Sequence, residues 1–155
     1  YLVHQGVKIA CHIQQLGDVR DASFLAADAA ADYAFLKGMH LPVLTAGLNQ
    51  QMEEAVLAAR DKQDSVGGVL ECMVTGLPAG LGAPFFDSVE SVLSHLLFAI
   101  PAVKGVEFGE GFGFASMRGS HSGQCPCARA KTRTWRFMDG MTHAFCRAPC
   151  RWWRQ

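Results

Sequence analysis

The sequence predicts an α+β fold, and three observations predict it. Apolar residues alternate from Val7 to Gln14 as they do in a half-buried strand, while two later stretches repeat them at helical spacing. The elements then follow in the order strand, helix, helix, strand, helix, strand, strand, which mixes both types without the regular alternation of a doubly wound sheet. With 155 residues, half of them apolar, the chain can bury one sizeable core as a single domain. The longest apolar run, Leu96 to Val103, is eight residues and contains a proline, against the roughly 20 residues needed to span a bilayer. No membrane segment is expected. The chain starts at Tyr1 with no initiator methionine, charged n-region or apolar h-region, so it reads as a piece of a longer protein without a visible signal peptide.

The first strand puts Val7, Ile9, Cys11 and Ile13 on one face and Lys8, Ala10, His12 and Gln14 on the other. His12 falls on the more polar face and reads as a partly exposed strand histidine rather than a catalytic one. Cys11 reads as a buried, inert thiol. Gly17 to Arg20 form a turn, and the alanine-rich stretch from Phe24 to Leu36 reads as a short helix that Gly38 to Pro42 breaks. Leu48, Met52, Ala55, Val56 and Ala59 mark a second helix over about Asn49 to Lys62, with Glu53, Glu54, Arg60 and Lys62 toward water. Asp64 to Gly68 connect it to a strand at Val69 to Thr75. The Gly67–Gly68 pair could cradle a phosphate, but it follows a helix instead of preceding one and reads as a turn.

The stretch Gly76 to Phe86, GLPAGLGAPFF, holds three glycines and two prolines, which suit neither a helix nor a central strand. It is an ordered loop whose backbone demands those residue types. Beyond it, Asp87 with Glu90 three residues on can close a capping box. Val89, Val92, Leu93, Leu96, Leu97 and Ile100 then form the apolar stripe of a third helix that Pro101 ends. Val103 to Phe108 and Phe112 to Met117 read as a hairpin around the turn Gly109 to Gly111.

Four segments, DSVGGVLE (64–71), VTGLPAGLGAPFFD (74–87), IPAVKGVEFGEGF (100–112) and RGS (118–120), together with GVKIACHIQQLGDV (6–19), occur in an order and spacing that resemble chorismate synthase. The resemblance covers Gly6 to Ser120. It implies a cytoplasmic homotetramer whose subunits sandwich helices between antiparallel sheets, here incomplete. It implies a carbon–oxygen lyase that eliminates phosphate from 5-enolpyruvylshikimate 3-phosphate in a trans-1,4 sense with reduced flavin mononucleotide. In that family the flavin is thought to lend electron density to the allylic system and to take up the proton. The family's histidine motif, its substrate-binding arginines and its arginine-serine-serine flavin contact would lie before Tyr1. Its lysine-proline-threonine and arginine-aspartate segments would follow the hairpin. The isolated chain is therefore expected to be inactive, and no catalytic residue is assigned within it. Of the flavin contacts only the dipeptide ahead of Val103-Lys104-Gly105 carries over, Pro101 and Ala102, acting by backbone and shape.

The chain divides into 1–120 and a tail, 121–155. The first part holds 7 basic and 13 acidic residues, the second 7 basic and 1 acidic, together with four of the six cysteines and all three tryptophans. Trp135 and Arg136 stand where the family has asparagines and glycines. The abrupt rise in Cys, Trp and Arg is what a G+C-rich gene gives when read out of frame, so the tail is expected to be frameshifted or disordered. The alternative is a natural tail in which Cys125, Cys127, Cys146 and Cys150, with His121 and His143, make a small zinc site on a non-enzymatic binding module, although the C-x-C and C-x3-C spacings are not the common ones. A disulfide framework is not expected, because nothing suggests export. Arginines interleaved with Trp135, Trp152 and Trp153 resemble a nucleic-acid surface, but they lack periodicity, and no nucleic-acid partner is expected.

Overall fold

The alternation at the start of the chain forms the strand it predicts. The computed structural model describes residues 2–24, 33–78, 80–83, 85–118 and 132–139, with the backbone alone for Val3 and 132–139. In it, Lys8–Leu16 is β1 and Val19–Arg20 is β2. Leu48–Asp61 is α1, Gly68–Thr75 is β3, Val89–Phe98 is α2, Val103–Phe108 is β4 and Thr132–Asp139 is β5. One sheet holds all five strands in the order β2-β1-β3-β5-β4, with every neighbouring pair antiparallel. The α+β class stands. No helix among the described residues is long and apolar enough to cross a membrane.

The two faces of the sheet are covered differently, as the period-2 alternation of strands requires. On one, Val7, Cys72, Val74 and Val103 pack with Leu93 and Leu97 of α2. Ile13, Leu16 and Val43 meet the fully buried Met52 of α1 next to them, and Leu70 touches both groups. On the other face Met73 packs with Phe24 and Leu36, the latter from the 3-10 turn Ala34–Gly38. The described parts of the connection between β2 and α1, 21–24 and 33–47, therefore reach the second face through Phe24 and Leu36. Of the helix expected at 24–36, residues 25–32 lie outside the described residues, and 34–38 form only this turn.

Three other expectations change. Ser88, not Asp87, caps α2, its hydroxyl accepting from the Ser91 N–H at 3.2 Å. The Asp87 carbonyl is taken by the Ala83 N–H, which folds the glycine-rich loop onto the helix start. Next, β4 has no returning strand at 112–117, because Gly111–Ser116 is a 3-10 turn. Gly109 and Gly111 both take positive φ, and Glu107 accepts from the Phe112 N–H, so the chain winds up where a hairpin would extend it. Finally, the partner of β4 is β5, drawn from the tail. The expected loss of order from residue 121 does not hold at 132–139, which pair with β3 over eight positions from Gly68↔Asp139 to Thr75↔Thr132. Backbone pairing on both edges gives that segment a place irrespective of its cysteine- and tryptophan-rich surroundings. Residues 121–131 and 140–155 lie outside the described residues.

Because β5 is antiparallel to both β3 and β4, those two run parallel to each other with α2 as their crossover, a split β-α-β arrangement. The glycine-rich loop and the turn after β4 therefore leave from one end of the sheet. The turn that enters β3 and the turn between α2 and β4 lie at the other end, where Gly68 and Val103 both stand opposite Asp139.

Candidate functional site

Pro101 and Ala102 occupy the turn between α2 and β4. The helix ends as the N–H groups of Ala99 and Ile100 bond the carbonyls of Leu96 and Leu97, and Val103, buried at 6% exposure, starts the strand. Ala102 sits at φ +75°, a left-handed conformation that a residue with a Cβ adopts at a cost of about 1–2 kcal/mol. Strain of this kind gathers at sites where the surroundings dictate the backbone. Pro101 is exposed and Ala102 half-buried. Neither side chain can give or take a proton, so the turn can hold a ligand only by backbone groups and shape.

Two glycine motifs precede this turn in the sequence, and the structure separates them. Gly68 stands in register with Val103 through Asp139, and a Cβ there would come within 2.9 Å of the Gln15 carbonyl oxygen. Its neighbour Gly67 gives its carbonyl to the Gly17 N–H. The pair is thus the entry to β3, with Gly68 as its first paired residue where a turn was expected, and close backbone approach holds it there. The loop 76–86 lies at the far end of the sheet. Gly76 is at φ +81°, where a Cβ would meet the Gly6 carbonyl oxygen at 2.3 Å. Phe85 takes φ +74° and is 92% exposed.

The most developed cluster of chemistry was not expected from the sequence. His12, read as a partly exposed strand histidine, is fully buried, and its position opposite Glu71 in the β1–β3 register explains why. Its Nε2 lies 3.0 Å from Glu71 Oε2 and its Nδ1 3.5 Å from Asp21 Oδ2. Glu71 also accepts from the Ser23 hydroxyl and the Phe24 N–H, both at 2.7 Å. Asp21 accepts from the N–H groups of Ala22, Leu44 and Thr45. Phe24 stands edge-on to the imidazole at 4.5 Å. Burial by itself pushes both carboxyls up. Hydrogen bonds outweigh it and hold both below the ordinary carboxylate range: those from His12, Ser23 and Phe24 on Glu71, and from Thr45, Leu44 and Ala22 on Asp21, with His12 close to each. All three side chains are shut off from solvent, so the cluster is structural and does not reach a substrate. The available signal was Glu71 itself, a charged residue in the apolar run VLECMVT, which implies a buried partner.

Cys11 also departs from the reading of an inert thiol. It is joined to Cys72, its partner across β1 and β3, in a disulfide on the α2 side of the sheet. Antiparallel pairing set the two sulfurs together across a sequence separation of 61, which no local spacing reveals. The cysteines and histidines of the zinc alternative, Cys125, Cys127, Cys146, Cys150, His121 and His143, lie outside the described residues. Among the described residues, no three His, Cys, Asp or Glu side chains converge as metal ligands.

A family model described as chorismate synthase matches residues 1–136, past the Ser120 limit of the sequence resemblance and into β5. The chain is 55% identical over 86 residues to the chorismate synthase of Chitinophaga pinensis, covering 55% of this chain and 25% of the relative. It is 43% identical over 122 residues to that of Methanosarcina acetivorans, covering 77% and 32%, and 32% identical over 129 residues to that of Lancefieldella parvula, covering 76% and 34%. A crystal structure of chorismate synthase superposes on 89% of this chain and 50% of its own, with a TM-score of 0.72 at 20% identity, a likeness of fold. The chain spans about a quarter to a third of the length of these curated relatives. On the match over residues 1–136, and with strands and helices arranged as that fold requires, the chain belongs to the chorismate synthase family.

Proposed function

We propose that this chain is part of an enzyme that eliminates phosphate from 5-enolpyruvylshikimate 3-phosphate to give chorismate, with reduced flavin mononucleotide as cofactor. The observation that carries the proposal is the family match over residues 1–136, to which the strained Pro101–Ala102 turn adds a local feature. The reaction breaks an allylic C–O bond and removes a proton at the other end of the allylic system, so both charges that develop need a partner. Reduced flavin, when bound, supplies transient electron density to that system. The part taken by this chain is positional. The turn presents backbone groups and two side chains that neither give nor take a proton, against which a planar ring can rest, and the sheet behind Val103 fixes where it rests. Pro101 and Ala102 fit such a contact, because shape and backbone are all that they offer.

The same proposal holds that the 155 residues alone do not turn the substrate over, because they correspond to only about a quarter to a third of the relatives' length. The whole enzyme is proposed to be a homotetramer. The exposed apolar residues of α2 and its end, Val92, Leu96, Phe98 and Ile100, support this, since apolar surface left to water is where other parts of a protein pack. The test is an assay of phosphate and chorismate release from 5-enolpyruvylshikimate 3-phosphate with reduced flavin. No turnover is expected from the chain alone, and turnover is expected when it replaces the corresponding segment of a full-length relative. Activity from the isolated chain, or an inactive but folded chimera that still binds flavin, would overturn the respective half of the proposal.

A further inference from the structure

We propose that Cys11 and Cys72 are a thiol–disulfide exchange site, at which a small thiol of the glutathione kind attacks Cys11 and reversibly opens the covalent link between β1 and β3. The two residues stand opposite each other in the β1–β3 register and are joined in the structure. Strand pairing keeps their Cβ atoms close to disulfide distance whether or not the bond is made, so opening it does not disperse the partners. Their surroundings differ. Cys72 is 1% exposed and packs with Val7, Val74 and Val103, whereas Cys11 is half-buried. On this side of the sheet Met52 of α1 packs with Ile13 and Leu16 of β1, while Leu93 and Leu97 of α2 join the cluster around Cys72. Ile9 and Cys11, the positions before Ile13 on the same face of β1, both keep part of their surface open.

Access decides which sulfur is attacked. The thiolate of the small thiol bonds to Cys11 Sγ as the Cys11–Cys72 bond breaks, and the released electron pair leaves on Cys72 Sγ, which takes a proton. A second small thiol then attacks the outer sulfur of the mixed disulfide. Cys11 is freed as a thiol, and the two small molecules depart joined as their own disulfide. The protein pair gains two electrons and two protons, and the two small thiols lose them. A small-molecule disulfide, acting as oxidant, runs the same steps backward. The link closes a loop with a sequence separation of 61, so opening it returns conformational entropy to the unfolded chain and lowers stability. It also replaces one bonded pair of sulfurs by two thiols at nonbonded spacing, inside the cluster that holds Val103 at the start of β4.

The test uses the full 155-residue chain carrying Cys125→Ser, Cys127→Ser, Cys146→Ser and Cys150→Ser, so that only this pair can exchange. Under native conditions, reduced glutathione is expected to make both Cys11 and Cys72 available to alkylation after a denaturing quench, read by peptide mass spectrometry, and oxidised glutathione to restore the link. Opening should lower Tm by roughly 10 °C. With Cys72→Ala added, the folded chain is expected to take up one glutathione at Cys11 from oxidised glutathione. With Cys11→Ala added instead, none is expected at Cys72. Should Cys72→Ala fail to fold by circular dichroism, Cys72→Val keeps the site apolar and filled and serves in its place. A link that yields to glutathione only in denaturant overturns the proposal, since the pair is then a permanent staple. Uptake at Cys72 equal to that at Cys11 overturns it as well, and so does a chain whose two cysteines still alkylate after native treatment with oxidised glutathione.

Discussion

Replacing Gly76 by alanine tests whether the glycine-rich loop is dictated by backbone approach or by flexibility. Gly76 sits at φ +81°, and an added Cβ would lie 2.3 Å from the Gly6 carbonyl oxygen, 3.1 Å from its carbon and 3.5 Å from the Val7 Cα. Three costs add. The left-handed conformation costs alanine about 1–2 kcal/mol. Forcing the two backbones apart by roughly 1 Å is overpacking, typically about 1–3 kcal/mol. The displaced segment begins β1, where Lys8 pairs with Thr75 and Val7 is buried at 4% exposure, so about one backbone hydrogen bond, roughly 1 kcal/mol, is also at risk. The sum is about 3–6 kcal/mol. Gly80 supplies the control, since it takes φ +85° but has nothing within 4 Å of the position of a Cβ. Gly80→Ala should therefore lose only the conformational part, about 1–2 kcal/mol. Urea denaturation followed by circular dichroism should separate the two variants by about 2–4 kcal/mol, or on the order of 4–16 °C in Tm for a chain of this size. Equal losses would refute the reasoning, because they would make the positive φ the whole effect and the Gly6 contact irrelevant.

Other outcomes follow from the same structure. Glu71→Gln should cost about 2–4 kcal/mol at pH 7, the scale for removing the charge from a buried hydrogen-bonded pair. Glu71 is held below its ordinary value of 4.5, so its contribution is complete above that pH and is lost as pH falls through the folded-state value. Denaturation curves of wild type and variant should thus converge in acid, and a gap that widens there contradicts the assignment. Ala102→Gly should raise stability by about 1 kcal/mol through relief of the φ +75° backbone, yet weaken flavin binding when placed in a full-length relative. A flavin titration that shows unchanged affinity removes the proposed contact. Met52→Ala should cost about 2–5 kcal/mol because Met52 is fully buried, whereas Leu57→Ala on the exposed side of α1 should cost under about 1 kcal/mol. Thermal melts of the two single variants check this contrast.

What could be read in advance was whatever depends on short-range periodicity. β1, β3, β4, α1 and α2 all fell close to their expected bounds because two- and three-to-four-residue repeats are visible in any window. The family was legible from the glycine- and proline-bearing turns, whose backbone needs restrict the residue type. The two misses with the most chemistry involve partners distant in the chain. Whether His12 is wet or buried depends on Glu71 across the sheet and on Asp21 in the loop that closes over it. Cys11 meets Cys72 for the same reason. The return of β4 was assigned to residues 112–117 because sequential strands usually pair, but the glycines at 109 and 111 and the Glu107 carboxylate wind the chain into a 3-10 turn, and a later strand took the position. At Asp87 two adjacent residues could both cap a helix, and only the geometry of the loop behind them decided for Ser88.

The position of β5 bears on how the molecule acquires its structure. β3 and β4 run parallel with one strand's width between them, so neither can bond the other, and α2 spans a gap that stays open until residues 132–139 arrive. A nascent chain that has emerged only as far as β4 holds the three-stranded portion β2-β1-β3 and a lone strand tethered by a helix. Closing the sheet then means inserting a late segment between two edges at once, a step of high contact order and correspondingly slow. During that interval both inner edges present unpaired backbone groups, the condition under which strands find wrong partners. A change of sequence at 132–139 would therefore strike an interior strand of the sheet and not its margin, and its consequence would be felt first as lost yield of folded chain.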